Sequence, residues 1–120
     1  MPRALIIDDS AVERKIIAKV MTALGYSIIE ATDGEEGELK AKTIKPDIIV
    51  LDVVMPKKDG FQVCRSLKKA PETANIPVIM ITSKNQDSDK FWGLKQGAIA
   101  YLIKPFNEED LISAVTKAMV

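Results

Sequence analysis

Short apolar runs alternate with polar, helix-like segments along the whole chain. The runs cover residues 4–7, 26–31, 48–51, 77–82 and 98–103. Unbroken apolar runs of this length are typical of strands that are buried on both faces, as in a parallel sheet covered by helices. The second run is more mixed in polarity, which favours an edge strand. The pattern therefore predicts five strands, of which the first, third and fourth are buried.

The first intervening segment has the spacing of an amphipathic helix. It begins at about Ser10, which has capping-box spacing to Glu13, and it closes at Gly25. Arg14 is expected on its solvent side. The apolar positions that we expect to face the core are Val12, Ile16, Ile17, Val20, Met21 and Leu24.

Four further helices are predicted between and after the other strands. Asp33 caps the second, which ends at about Ile44, and Asn107 caps the last. The third covers residues 60–69 and the fourth ends at Gly97. Expected inward positions are Phe61, Cys64 and Leu67, then Phe91, and finally Leu111, Val115, Ala118 and Met119. Trp92, one position after Phe91, is expected at the rim of the core, either as an interface anchor or packed against a neighbouring helix.

Strict alternation of strands and helices predicts an α/β fold. We predict a five-stranded parallel sheet of order 2-1-3-4-5, doubly wound (flavodoxin-like) with five helices. Right-handed crossovers then determine how each helix packs on the sheet. The length of 120 residues suits one domain, residues 1–120.

Composition narrows the class of protein. There are 17 basic and 17 acidic residues, so the chain lacks the excess of positive charge that is typical of nucleic-acid-binding proteins. No apolar run is long enough for membrane insertion. A single cysteine, Cys64, and an N-terminus without a signal-peptide pattern favour a cytoplasmic location. The absence of histidine removes histidine-based catalysis and most zinc sites.

Chemically complementary side chains follow four of the five predicted strands. Asp8 and Asp9 follow the first, Asp52 the third, Thr82 ends the fourth and Lys104 follows the fifth. Carboxyl ends of parallel strands meet at one edge of a sheet, so these groups are expected to share one crevice. Three carboxylates at close range repel unless a cation neutralises them, and Mg²⁺ suits such oxygen ligands.

Each of these residues also has a purely structural interpretation. Asp9 could cap a helix, Asp52 could form a turn, Thr82 is a normal strand residue and a lone lysine is usually a solvated charge. Acidic, basic and hydroxyl side chains at one edge of the predicted sheet together favour a functional site over these structural interpretations. A cation, a lysine, a hydroxyl and a nucleophilic carboxylate are the parts needed for phosphoryl transfer to an aspartate.

The set Asp8-Asp9, Asp52, Thr82 and Lys104-Pro105, with the loop 55–60, resembles the signature of receiver domains of two-component response regulators. The likeness runs from Leu5 to Met119. It implies that Asp52 accepts a phosphoryl group from a phosphohistidine on a histidine kinase. It also implies that Asp8, Asp9, Asp52 and the backbone carbonyl of Val54 bind Mg²⁺, that Lys104 contacts the phosphoryl group and that the Lys104–Pro105 bond is cis.

The same resemblance implies a conformational switch. Thr82 would move toward the phosphoryl oxygens and Tyr101 would turn from exposed to buried behind it. That movement would reshape the surface of the fourth helix, the fifth strand and the fifth helix, where an output protein would bind. Because Val54 and Lys84 offer no acid or amide to a hydrolytic water, slow self-dephosphorylation is expected, with a phosphoryl half-life longer than seconds.

The resemblance favours a stand-alone, chemotaxis-type regulator or a phosphate sink. Segments 53–56 and 88–93 are also similar to regulators of type IV pilus motility. Three other classes remain open at this point. A haloacid-dehalogenase-type phosphatase would need an Asp-x-Asp pair and a cap domain, and a flavodoxin-like FMN carrier would need a Ser/Thr-rich phosphate loop. The third class is a receiver-like domain that signals by binding alone.

Overall fold

A computed structural model describes residues 1–119 and contains five strands and five helices in strict alternation. Along the chain they are β1 (Arg3–Ile7), α1 (Ala11–Ala23), β2 (Ser27–Ala31), α2 (Gly34–Ile44), β3 (Ile48–Leu51), α3 (Gly60–Lys69), β4 (Val78–Thr82), α4 (Asp87–Lys95), β5 (Ala100–Ile103) and α5 (Glu108–Ala118). All strand pairs are parallel and the order is β2-β1-β3-β4-β5. The predicted fold is confirmed.

Strand register places the predicted chemistry at one edge. Ile7, the last residue of β1, lies opposite Leu51, the last residue of β3. Thr82 at the end of β4 lies opposite Ile103 at the end of β5. The residues that follow these strands therefore emerge side by side at the carboxyl edge of the sheet.

Helices cover both faces of the sheet, and the apolar residues form two cores. One face packs against α2 and α3 and includes Leu5, Leu51 and Val63. The other face packs against α1 and α5 and includes Ile6 and Leu111. Two-sided burial explains why the strands read as continuous apolar runs.

The predicted buried face of α1 is wrong in part. Ile17, Val20 and Met21 are buried, but Val12 and Ile16 are 69% and 47% exposed, and Leu24 also lies at the surface. Each four-residue step overshoots a full helical turn by about 40°, so a row with strict four-residue spacing winds away from the core. The buried stripe instead follows the mixed three- and four-residue spacing.

The inward positions expected in α4 and at the end of α5 also need correction. Phe91 is 65% exposed and Met119 is 66% exposed, whereas Trp92 is 44% exposed, as expected at the rim of the core. Only Gly93 of α4 is buried, because this short helix meets the sheet through a residue without a side chain. The Trp92 ring packs against α3, with Arg65 Cζ 5.9 Å from its centroid.

Helix caps agree with the sequence except at α5. Ser10 accepts a hydrogen bond from the Glu13 amide, and Asp33 accepts one from the Glu36 amide. Asn107 occupies the N-cap of α5 without a side-chain capping bond. No helix within residues 1–119 has both the length and the apolar character needed to cross a bilayer.

Candidate functional site

Three carboxylates converge where β1 and β3 end. The Asp8 side chain is fully buried, Asp52 is 6% exposed and Asp9 is exposed. One carboxylate oxygen from each lies within 4.8 Å of the others. The backbone explains the convergence, because the Asp8 amide continues the ladder to Ala31 and the Asp52 amide donates to the Ile7 carbonyl. The predicted acidic cluster is therefore confirmed as an arrangement of residues.

Lys104 reaches into this cluster from the end of β5. Its Nζ lies 2.9 Å from Asp8 Oδ2 and 3.4 Å from Asp52 Oδ2, while Glu13 lies farther away at 4.0 Å. The lysine side chain is only 15% exposed. The bond from Lys104 to Pro105 is cis, as expected. One ammonium group thus faces two buried carboxylates from neighbouring strands.

The surroundings change the proton affinities of these groups. Burial raises the pKa of the Asp52 carboxyl and the Asp8 charge adds to the rise, although the Lys104 charge opposes it. Burial lowers the pKa of Lys104, but the hydrogen bond to Asp8 and the charges of Asp52 and Asp8 outweigh burial and leave it raised. The site contains three carboxyl groups and one ammonium group, an excess of acidic groups that favours cation binding.

A tight loop after β3 shapes the approach to Asp52. The Val54 amide donates to Asp52 Oδ1 at 3.2 Å, and the Gly60 amide donates to the Val53 carbonyl at 2.9 Å. A side chain on Gly60 would collide with the backbone of Asp52 and Val53. The Val54 side chain is 50% exposed and offers no polar group at the mouth of the site.

Thr82 and Tyr101 are connected through the backbone of Lys84. The Lys84 amide donates to Thr82 Oγ1 at 3.4 Å, and the Tyr101 hydroxyl donates to the Lys84 carbonyl at 2.9 Å. Thr82 is fully buried and Tyr101 is 6% exposed. Tyr101 therefore has the inward position that the resemblance implies for the switched state, and its movement between two positions stays a prediction. Burial, with the charges of Asp89 and Asp52, raises the pKa of Tyr101 to about 12.

Gly93 makes room for that inward ring. A Cβ atom at this position would lie 2.8 Å from Met80 Sδ and 2.8 Å from Tyr101 Cδ2. Gly93→Ala should therefore turn the Tyr101 ring outward. The free energy of unfolding should not rise by the roughly 1 kcal/mol that is usual for Gly→Ala in a helix, because the lost packing of the ring offsets it. Loss of the nuclear Overhauser contacts between the Tyr101 ring and the Met80 methyl would show the movement. Unchanged contacts together with raised stability would contradict it.

Sequence reasoning missed one residue of the site, Arg14. Its Nη1 donates to the Asp8 carbonyl at 2.7 Å and its Nε donates to Glu30 Oε1 at 2.9 Å. The side chain is 13% exposed, although its helical position predicted the solvent face. Only the distance of five residues from Asp9, little more than one helical turn, hinted that Arg14 could reach back to the loop after β1.

Comparison with known proteins identifies the family. Residues 4–116 match the model of the response regulator receiver domain. The chain belongs to the receiver-domain family of response regulators. Receiver domains are phosphorylation-dependent signalling proteins rather than turnover enzymes, which removes the phosphatase and flavin-carrier alternatives. As a family they take phosphoryl groups from histidine kinases, contact output partners and generally bind Mg²⁺ at an acidic pocket.

Curated relatives include proteins of motility and of transcription. Protein PilH of Pseudomonas aeruginosa is 41% identical over 99% of this chain and 98% of its own length. A gliding motility regulatory protein of Myxococcus xanthus is 46% identical over 85% of this chain and 13% of its own length. RpaA, a transcriptional regulator of Synechocystis, is 42% identical over 96% of this receiver domain, which spans 48% of RpaA.

Solved structures agree with the receiver fold. The chemotaxis protein CheY4 of Vibrio cholerae superposes with a TM-score of 0.90 at 30% identity, covering 98% of both chains. A CheX–CheY–BeF3–Mg complex of Borrelia burgdorferi gives a TM-score of 0.92 at 31% identity, covering 99% of this chain and 90% of that one. The family and the fold thus rest on both sequence and structure.

Proposed function

We propose that this receiver domain accepts a phosphoryl group on Asp52 from a histidine kinase, with Mg²⁺ bound beside it. The observation that carries the proposal is the single Lys104 ammonium group placed between two buried carboxylates, 2.9 Å from Asp8 and 3.4 Å from Asp52. A buried cation so placed would be released from Asp52 and offered to the incoming phosphoryl oxygens. A purely structural ion pair would not need a second buried acid at the same point.

The donor set fits a hard divalent cation. Oxygen atoms of Asp8, Asp9 and Asp52 lie close enough to share one ion, and Mg²⁺ prefers a few carboxylates completed by water and phosphate oxygens. The backbone carbonyl of Val54 is the further ligand expected from the family. When bound, Mg²⁺ would neutralise charge on the phosphoryl oxygens as they approach the acidic crevice.

The chain's own residues would carry the transfer. A carboxylate oxygen of Asp52 attacks phosphorus while the bond to the donor histidine nitrogen breaks, and the electron pair of that bond stays on the imidazole. Lys104 donates to one phosphoryl oxygen, and the Thr82 hydroxyl donates to another. The Val54 amide, already bonded to Asp52, orients the nucleophile.

The output surface of the proposal is the face formed by α4, β5 and α5. Movement of Thr82 toward the phosphoryl group would pull on the Lys84 backbone, which holds the Tyr101 hydroxyl. This chain of contacts would stabilise the inward position of Tyr101 in the phosphorylated protein. Exposed apolar residues on the face, Phe91 and Ile103 among them, would contact an output protein.

We propose that this receiver domain acts in the control of motility. The PilH and gliding-motility relatives support it, and the chemotaxis neighbour CheY4 is consistent with it. The neighbour described as a complex with BeF3 and Mg supports both the phosphoryl and the cation parts, since beryllofluoride is a tetrahedral mimic of a phosphoryl group.

The test is intact-mass spectrometry after incubation with acetyl phosphate, with and without Mg²⁺. The wild type is expected to gain one phosphoryl group only when Mg²⁺ is present. Asp52→Asn is expected to gain none, because the amide is not a nucleophile for phosphorus.

A matched control separates the site from ordinary carboxylates. Asp110→Asn removes an exposed acid in the first turn of α5 and should be phosphorylated like the wild type. An adduct that persists in Asp52→Asn would refute Asp52 as the acceptor. An adduct that forms equally well in EDTA would refute the role of Mg²⁺.

A further inference from the structure

Arg14 is the only side chain within residues 1–119 that hydrogen-bonds the carbonyl of Asp8. That carbonyl belongs to the peptide group joining Asp8 to Asp9. The preceding peptide is held by the sheet, since the Asp8 amide donates to Ala31. Rotation of the Asp8–Asp9 peptide is therefore restrained chiefly by the 2.7 Å bond from Arg14 Nη1.

The two acids differ in how they are held. The Asp8 carboxylate accepts from the Ser10 amide at 2.9 Å and from Lys104 at 2.9 Å. The Asp9 carboxylate is exposed and receives no protein hydrogen bond among the described residues. Its direction therefore depends on the backbone that carries it, and Arg14 holds that backbone.

Arg14 is itself well anchored. Its Nε bonds to Glu30 on the edge strand β2 at 2.9 Å, and the side chain is 13% exposed. A planar guanidinium with two separate acceptors has a defined orientation, which a flexible ammonium group would not match. Arg14 thus bridges α1, the loop after β1 and strand β2.

We propose that Arg14 is a positioning residue that fixes the Asp8–Asp9 peptide and so directs the Asp9 carboxylate toward the divalent cation. The inference rests on the proposed metal site and deepens it. Groups that orient metal ligands commonly contribute about 10- to 100-fold to metal affinity.

Electrostatics predicts the opposite sign, which makes the inference sharp. Arg14 places a positive charge one helical turn from an acidic cation site, and like charges repel. Removal of that charge alone should tighten cation binding. If cation binding becomes weaker after Arg14 is replaced, the loss of positioning must be larger than the electrostatic gain.

The experiment measures Mn²⁺ affinity by electron paramagnetic resonance of the free ion, with no phosphodonor present. Arg14→Gln is expected to bind Mn²⁺ about tenfold more weakly than the wild type. Arg14→Lys keeps the charge and is expected to lose affinity as well, because it cannot hold both acceptors. Arg65→Gln is the control, because it removes an arginine of α3 that bonds to Gln96 and not to the loop after β1. This variant should bind Mn²⁺ like the wild type.

A second variant tests whether Arg14 acts through Asp9. In an Asp9→Asn background, which already binds Mn²⁺ weakly, Arg14→Lys should produce no further loss. An equal loss in both backgrounds would show general damage to the loop and overturn the inference.

The outcomes separate this inference from the proposed function. If the wild type binds no Mn²⁺, the metal site of the proposed function fails. If the wild type binds and Arg14→Gln and Arg14→Lys bind equally well or more tightly, the metal site stands and the positioning role is overturned. Should Arg14→Gln fail to fold, the charge-preserving Arg14→Lys carries the comparison.

Discussion

Replacing Lys104 with methionine is expected to lower the free energy of unfolding of the metal-free protein at pH 7 by about 3 kcal/mol. The lysine is the common counter-charge of Asp8 and Asp52, whose side chains are almost completely buried. Methionine preserves much of the volume but leaves two carboxylates facing each other without a cation. Urea denaturation in EDTA measures the loss.

Two comparisons identify the cause of that loss. Lys40→Met removes a cation whose ion pair with Glu36 is about one-third exposed on both sides, so its cost should stay below about 1 kcal/mol. In an Asp52→Asn background, Lys104→Met should cost clearly less than in the wild type, because one of the two unpaired charges is gone. A cost that is independent of residue 52 would contradict the charge explanation.

Added Mg²⁺ is expected to affect the stability and the phosphorylation of Lys104→Met differently. If the proposed site binds the ion, added Mg²⁺ should restore part of the stability lost in Lys104→Met, since the ion supplies the missing positive charge. Phosphorylation should stay slow in the same variant, because Mg²⁺ does not replace the donor to the phosphoryl oxygen. Stability and transfer rate are therefore expected to respond differently to the ion.

Gly60→Ala is expected to destabilise the protein by about 3 kcal/mol, at the upper end of the usual range for overpacking. The new Cβ atom would lie against the carbonyl oxygen of Asp52 and 2.7 Å from the Val53 Cα. Backbone atoms of a buried strand end cannot rotate away as a side chain can. Relief of the clash would require the loop after β3 to shift, and Asp52 would shift with it.

Gly34→Ala is the matched control for Gly60. Each glycine is the first residue of a helix and follows an aspartate N-cap, Asp33 or Asp59. The nearest atom to a Cβ at Gly34 is a methyl group of Val63, at 2.7 Å, which can adjust by side-chain rotation. The nearest backbone atom is the Lys58 carbonyl oxygen at 3.1 Å, a milder contact than those at Gly60. Thermal unfolding should show a clearly smaller loss for Gly34→Ala, and equal losses would contradict the backbone explanation.

Local pattern was sufficient for the fold and for most of the site. Apolar runs bounded by turn residues marked every strand, and the residues after those runs included Asp8, Asp9, Asp52 and Lys104. These residues meet because parallel strands with short right-handed connections bring their carboxyl ends to one edge. Composition also contributed, since the absence of histidine excluded histidine-based catalysis and most zinc sites.

Helix faces were predicted less well than strands. The four-residue repeat in α1 suggested that Val12 and Ile16 face the core, but the helix turns them outward. The apolar residues of α4 suggested a buried face, but the helix meets the sheet through Gly93. A helix can be rotated about its axis at little local cost, and packing against the sheet determines the rotation.

The sequence by itself determined the order of the elements, the family and the residues at the strand ends, because all of these follow from short-range patterns. Only the tertiary structure decided the inward position of Tyr101, the bond from Arg14 to the Asp8 carbonyl and the close approach of Gly60 to Asp52. Each of these depends on atoms of different elements meeting in three dimensions. The periodic pattern of apolar residues does not predict such contacts, because it indicates which face of an element is apolar and not which residues lie opposite that face.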